Sequence, residues 1–317
     1  MNLETKTVEA DGFSNIALIK YMGKSNASLN QATNPSMSYT LAHLKSVVKI
    51  SSSLESHDQW APLVQPGLQN LVLSEKGQTK FLKHAQRLKD LWNVEGFLKI
   101  ESANNFPADC GIASSASSFA ALTQAMARFY KRPESPVELA RLSRLGSGSS
   151  CRSFFSPWCL WNGEQIESVE LPYKKLLHLV ILIDAEKKEV SSSEAHLRVA
   201  SSPLFQGREA RVTMRTESLL SALKKEQWEK AFQIVWDEFE DMHQLFETSQ
   251  PAFSYRNEKS KKVLDDCQKV WLYKKDGPLV TMDAGPNIHL LFRENQRTIF
   301  LKMKHYFSEK NQVLASE

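Results

Sequence analysis

One segment limits the fold more than any other. Leu176 to Ala185 reads LLHLVILIDA, an apolar run whose polar members are His178 and Asp184. It is far short of the roughly 20 residues that a membrane-spanning helix needs. A continuous apolar run of this kind suits a strand buried on both faces. Helical patterns follow at about 203–222, 225–248 and 258–275. Two short strands come next, Leu279–Met282 and Ile288–Phe292, and then a helix near 295–307. A strand, helices, two strands and a helix make an α+β sandwich.

The residues before this run have a different texture. Strands are expected at 14–21, 36–53 and 97–103, and as a hairpin of 157–161 with 166–170 around Asn162-Gly163. Helical spacing marks 79–93, alanine-dense 114–130 and Pro136–Leu145 before Gly146. The change of texture places a boundary at Lys174–Lys175, between an N-terminal domain of residues 1–175 and a C-terminal domain of residues 176–317.

Composition narrows the function classes. Lysine and arginine number 40 against 36 acidic residues, a net charge of +4. The basic residues are scattered in short pairs such as Lys187-Lys188 and Lys274-Lys275. A small anionic ligand fits this balance; nucleic acid and membrane surfaces are not expected partners. The four cysteines, Cys110, Cys151, Cys159 and Cys267, form no CxxC pair, and no histidine cluster has zinc spacing. So few cysteines in a chain of 317 residues point to a reduced, cytoplasmic protein. No metal-ligating set is expected.

Four segments carry chemistry. Residues 104–118, NNFPADCGIASSASS, place Pro107 and Gly111 in a loop that opens into a serine-rich helix start. The first amides of a helix lack intrahelical partners, and the helix dipole adds positive character there. That arrangement suits phosphate, although the Walker A spacing is absent. Residues 146–152, GSGSSCR, offer backbone amides, hydroxyls and a guanidinium fork for a carboxylate or phosphate. Residues 15–24, NIALIKYMGK, carry Lys20, Tyr21 and Lys24 to the end of a strand. Residues 282–287, MDAGPN, set Asp283 between an apolar strand and a Gly-Pro turn. Each alone fits an ordinary capped helix, serine-glycine loop, strand end or turn.

Together, with NPSMSYTL at 34–41 and VSS at 190–192, the segments resemble the GHMP kinase superfamily and, within it, the diphosphomevalonate decarboxylases. The order and spacing of the motifs match over about residues 12–295. The resemblance implies an N-terminal ribosomal-S5-like α+β domain, a C-terminal GHMP ferredoxin-like sandwich and a cleft between them. It implies ATP with Mg2+, conversion of mevalonate 5-diphosphate to isopentenyl diphosphate, and a homodimer. It also implies roles. Asp283, Lys20 and Arg152 would be catalytic, with Asp283 at the substrate's 3-hydroxyl, Lys20 keeping it ionised and Arg152 on the carboxylate. Asn15, Tyr21, Gly23, Lys24, Ser36, Ser147, Gly148, Ser149, Ser150 and Cys151 would line the substrate pocket. Gly111, Ala113, Ser114, Ser115, Ser191 and Ser192 would hold ATP.

The chain departs from the family pattern at Met22, at Asp109 and at Ser25-Asn26. Relatives carry an arginine before the 79–93 helix, for which this chain has only Lys76, Lys80 and Lys83, and Ser193-Glu194-Ala195-His196 replaces a Gly-Met pattern. Two other activities share this cleft chemistry: a small-molecule kinase that stops at phosphorylation, and a decarboxylase of a differently phosphorylated mevalonate. An RNA-binding module on the same N-terminal fold would need a basic stripe with aromatics, which the sequence does not show.

Overall fold

The computed structural model describes residues 6–69, 71–107, 114–183 and 189–316. Two sheets organise it. The elements of the first half are β1 (Thr7–Ile19), a small hairpin of β2 (Lys24–Asn26) and β3 (Gln31–Ala32), β4 (Ser36–Ser52), β5 (Gln59–Pro62), α1 (Glu75–Trp92), β6 (Leu98–Asn104), α2 (Ser114–Phe129), α3 (Pro136–Arg144), β7 (Trp158–Asn162) and β8 (Gln165–Ser168). The second half holds β9 (Leu176–Leu182), α4 (Ser192–Arg198), α5 (Arg208–Lys224), α6 (Trp228–Thr248), α7 (Glu258–Lys274), β10 (Leu279–Met282), β11 (Ile288–Arg293), α8 (Arg297–Ser308) and β12 (Gln312–Ala315).

The first sheet runs β5-β6-β4-β7-β8, with β1 paired to β4. β4 is long enough to take three partners. Its start pairs with β7, its end with β6, and β1 runs antiparallel along it from Thr7↔Ser51 to Ile19↔Met37. The second sheet is antiparallel, β10-β11-β9-β12. The apolar run is its β9, flanked by β11 and β12 and buried along its whole length.

Helix α2 lies directly on β1. A Cβ at Gly12 would come within 2.1 Å of the Ser117 carbonyl oxygen, so only glycine permits this approach. Alanine-rich composition narrows the helix there, and Ala116, Ala120, Ala121 and Ala125 are fully buried. A single apolar cluster then joins the two sheets: Ile16, Leu18, Met37 and Trp158 pack with Leu179, Ile181, Phe239 and Leu290.

Sequence periodicity and structure differ at several places. The helix expected from 203 begins at Arg208, after a 3-10 turn over Pro203–Phe205, because Gly207 adopts a φ of +73°. The serine-glycine stretch is no open loop: Gly148–Phe154 winds into a 3-10 helix. Strands β5 and β12 and helix α4 were not expected. Among the described residues no helix is long and apolar enough to cross a membrane.

Candidate active site

β1 ends at Ile19, and the next residues turn into a cavity of about 720 Å³. Its walls come from both halves of the chain: Lys20, Tyr21 and Lys24 beyond β1, Ser114, Ser115 and Ser118 at the start of α2, Ser147–Ser149 and Arg152 in the 3-10 helix region, Ser191–Ser193 at the start of α4, and Asp283 after β10.

The Lys20 ammonium is buried and donates to the Ala17 carbonyl at 2.6 Å and to Asp283 Oδ1 at 2.7 Å. Asp283 keeps 27% of its side chain exposed, towards the cavity, while Lys20 keeps 2%. Burial pushes the Asp283 carboxyl up, but Lys20 beside it, with His289 and Arg152 further off, holds it below the ordinary carboxylate range. Burial draws the Lys20 ammonium down, opposed by Asp283. The result is an ionised carboxylate facing the cavity. The pair is held from behind. The Lys20 amide donates to Glu238 Oε1 at 3.2 Å, and Glu238 also accepts from Arg208 at 2.8 Å and Arg215 at 3.0 Å. Asn34 Nδ2 donates to the Lys20 carbonyl at 2.9 Å.

Arg152 is 4% exposed and donates through Nε to Asn15 Oδ1 at 3.3 Å. Its Nη1 is buried without a hydrogen-bond partner among the described residues. An unpartnered buried guanidinium nitrogen costs free energy unless an acceptor arrives, and a carboxylate matches its fork. Asn15 is fixed in turn, donating to Ser153 Oγ at 2.8 Å.

The cavity's other end is cationic. Lys24 donates to Asn30 Oδ1 at 2.7 Å, and among the described residues neither Lys24 nor Lys80 meets a carboxylate. Burial lowers the Lys24 ammonium; burial and then the charges of Lys24 and Lys76 lower Lys80. Cations that disfavour one another in a cavity are suited to a polyanion. Of the three lysines named above in this stretch, Lys80 lines the cavity, on the face of α1 beside its Ser74 cap.

Two serine groups meet here. Ser115 Oγ donates to Ser147 Oγ at 3.0 Å, tying the start of α2 to the 3-10 helix. Ser114, Ser115 and Ser118 present hydroxyls beside the first amides of a 16-residue helix. Ser191 caps α4, accepting from the Glu194 amide at 3.2 Å, and lines the cavity with Ser192.

Other motif residues stand behind the wall. Ser36 donates to the Ile19 carbonyl at 2.8 Å, Ser150 bonds Ser143 Oγ and the Ser147 carbonyl at 2.6 Å each, and Cys151 packs in the cluster under Tyr21. Asn15 likewise acts on Arg152 rather than lining the cavity. Gly148 does line it, and a Cβ there would meet the Tyr21 ring at 2.5 Å. Gly23, at φ +94°, turns the chain between Tyr21 and Lys24. Gly111 and Ala113 lie outside the described residues.

Both halves of the chain resemble known proteins. Residues 12–169 match the diphosphomevalonate decarboxylase-like N-terminal domain, and residues 178–316 match the mevalonate 5-diphosphate decarboxylase C-terminal domain. The diphosphomevalonate decarboxylase of Schizosaccharomyces pombe is 33% identical over 311 residues, covering 90% of this chain and 79% of that protein. A mevalonate diphosphate decarboxylase from Legionella pneumophila superposes with a TM-score of 0.90 at 44% identity, over 98% of this chain and 100% of the other. The structure of MDDEF in complex with MVAPP, AMPPCP and magnesium gives a TM-score of 0.86 at 28% identity, over 98% and 96%. The two-sheet architecture is the GHMP kinase fold. With both halves matched in order and the charged pair seated between them, the chain belongs to the diphosphomevalonate decarboxylase family.

Proposed function

We infer that this chain phosphorylates the tertiary 3-hydroxyl of mevalonate 5-diphosphate with ATP and then releases phosphate and carbon dioxide, leaving ADP and isopentenyl diphosphate. The observation that carries the reading is the Lys20–Asp283 pair at 2.7 Å, with the unpartnered Arg152 Nη1 in the same cavity.

A tertiary hydroxyl is a poor leaving group, and phosphorylation makes it a good one. Asp283, kept ionised by Lys20, orients the 3-hydroxyl and accepts its proton as the oxygen attacks the γ-phosphorus. Arg152 grips the carboxylate. When the C3–O bond to phosphate breaks, the electron pair of the bond to the carboxyl carbon becomes the new double bond. Lys24 and Lys80 face the 5-diphosphate end, with Tyr21, Ser147, Gly148 and Ser149 between. Ser114 and Ser115 at the start of α2, with Ser191 and Ser192, hold the ATP phosphates, for which the helix amides and hydroxyls are suited. Bound with the nucleotide, Mg2+ neutralises charge on the transferred group. No group of three His, Cys, Asp or Glu side chains among the described residues could hold a metal alone. The fitting donors are serine hydroxyls together with the phosphates themselves.

Three described cysteines are free and buried, which supports a reducing, cytoplasmic setting. Family likeness supports a homodimer, which sedimentation tests. The gap between the two family matches, 169 to 178, supports a domain boundary at Lys174–Lys175.

The test is ADP release measured with mevalonate, its 5-phosphate and its 5-diphosphate, with carbon dioxide followed in parallel. Equal ADP and carbon dioxide from the 5-diphosphate is expected. ADP without carbon dioxide would make the protein a kinase, and turnover of the 5-phosphate in preference would reassign the substrate.

A further inference from the structure

His196 stands in the α4 segment where the chain departs from the family pattern, and the roles assigned so far do not use it. Its half-buried ring lines the cavity beside Ser193 and Lys24. It packs on Tyr21 with ring centroids 4.2 Å apart and 40° between planes. The Gly23 amide donates to its Nδ1 at 3.1 Å. That bond fixes the tautomer: a neutral imidazole accepting at Nδ1 carries its proton on Nε2. Nε2 has no partner among the described residues, and it is not one of the sealed, unsatisfied atoms of the interior. It therefore offers a hydrogen-bond donor to the cavity.

The surroundings say what it would meet. The titratable and charged groups around the ring are Tyr21, Lys24 and Arg152. Burial, then Lys24 and Arg152, push the His196 pKa down to about 3, so the ring stays neutral. A neutral donor near two cations adds a directed contact to an anion. Gly23, which anchors the ring, lies next to Lys24, so the donor is seated at the Lys24 end of the cavity.

We propose that His196 is a substrate-binding residue of this chain, whose Nε2–H donates to the terminal diphosphate that Lys24 faces. That the anion is the substrate's diphosphate rests on the function proposed above; the seat of the donor near Lys24 does not. The neutral donor adds one hydrogen bond to a charged acceptor, which in a desolvated site corresponds to about a tenfold gain in affinity.

Two variants test it. His196→Phe keeps the ring on Tyr21 and removes both nitrogens. His196→Gln keeps a donor at the position of Nε2. Calorimetry with inorganic diphosphate and steady-state kinetics with mevalonate 5-diphosphate are run on both. The Phe variant is expected to bind inorganic diphosphate about tenfold more weakly and to raise KM for the 5-diphosphate by a similar factor, with kcat and the KM for ATP within about threefold. The Gln variant is expected to recover most of the loss. Unchanged inorganic diphosphate affinity in the Phe variant overturns the proposal. So does an equal rise in the KM for ATP with a lowered Tm, which would make His196 only a brace for Gly23. If the wild-type chain does not turn over mevalonate 5-diphosphate at all, the proposed function fails while the calorimetric arm still decides on His196.

Discussion

Lys20 and Asp283 lie 263 positions apart in the chain and 2.7 Å apart in space, joined by one hydrogen-bonded ion pair at the floor of the cavity. Asp283→Asn removes the charge and keeps the shape. Turnover should fall at least about 100-fold, with ADP and carbon dioxide falling together. Lys20 would then be buried without its counter-ion, so Tm should fall as well. Asp283→Asn combined with Lys20→Met should recover stability but not activity. Persistent ADP release without carbon dioxide would move Asp283 to a step after phosphoryl transfer.

Arg152 is held by one nitrogen and leaves another buried and unpartnered. Lysine cannot reproduce a fork. Arg152→Lys should therefore lower kcat/KM about 10–100-fold, the cost of a lost charge-assisted contact, with an unchanged far-ultraviolet circular dichroism spectrum. Near-normal kinetics would reduce Arg152 to a structural partner of Asn15.

Ser115 is bonded to Ser147 and sits in the first turn of α2. Ser115→Ala should raise the KM for ATP or lower turnover about tenfold, roughly 1.4 kcal/mol. The companion Ser114→Ala measures the share of the neighbouring hydroxyl. If both leave ATP kinetics alone, the nucleotide lies elsewhere.

Gly148→Ala probes the wall between motif and cavity. The added Cβ would stand 2.5 Å from a Tyr21 ring carbon and 2.7 Å from its hydroxyl. Tyr21 is packed against Trp161 and His196 and has little room to yield. A destabilisation of about 1–3 kcal/mol is expected from such overpacking, with a raised KM for the substrate. Urea unfolding and kinetics on one preparation would show both effects.

Acid should weaken the fold early. His84 and His243 are buried with pKa values pushed down to about 3, and His289 to about 4; burial is the main cause in each. In the unfolded chain these groups titrate near 6.5. Between those values the unfolded state binds more protons, so stability is fully present above about pH 6.5 and declines as pH falls below it. Each buried histidine steepens the decline by up to about 1.4 kcal/mol per pH unit. The urea midpoint should drop between about pH 7.5 and pH 5; a flat profile would mean that these rings are charged in the folded protein.

Where apolar spacing was regular, the elements were legible. Helices α2, α3 and α7 and the buried β9 follow from alternation, capping and composition. β5 did not, because Gln59-Trp60-Ala61-Pro62 has no alternation and is a strand only through its parallel pairing with β6. The first half of β1 hid behind Glu9, Asp11 and Gly12, which β4 and α2 accommodate. In the site, Lys20, Arg152 and Asp283 were indicated by their motifs and by family likeness. Which serines face the cavity was not: Ser149 and Ser150 are neighbours in one motif, yet the turn of a 3-10 helix sends Ser149 to the cavity and Ser150 to Ser143. Of Lys76, Lys80 and Lys83, the sequence could not say which one lines the cavity, because lysines on an amphipathic helix usually belong to the solvated face; the structure brings Lys80 to it.

Strand β1 spaces the elements of the candidate site. At Gly12 it seats the helix whose first turn carries Ser114 and Ser115, at Asn15 it orients Arg152, and just past its end it delivers Lys20 to Asp283. The three groups assigned above to nucleotide, carboxylate and hydroxyl in the proposed function are thus indexed to one stretch of backbone. Inserting or deleting a single residue between Gly12 and Lys20 would reverse the facing of everything beyond it. Length in this segment should therefore be far less tolerant of change than side-chain identity at its outward-facing positions.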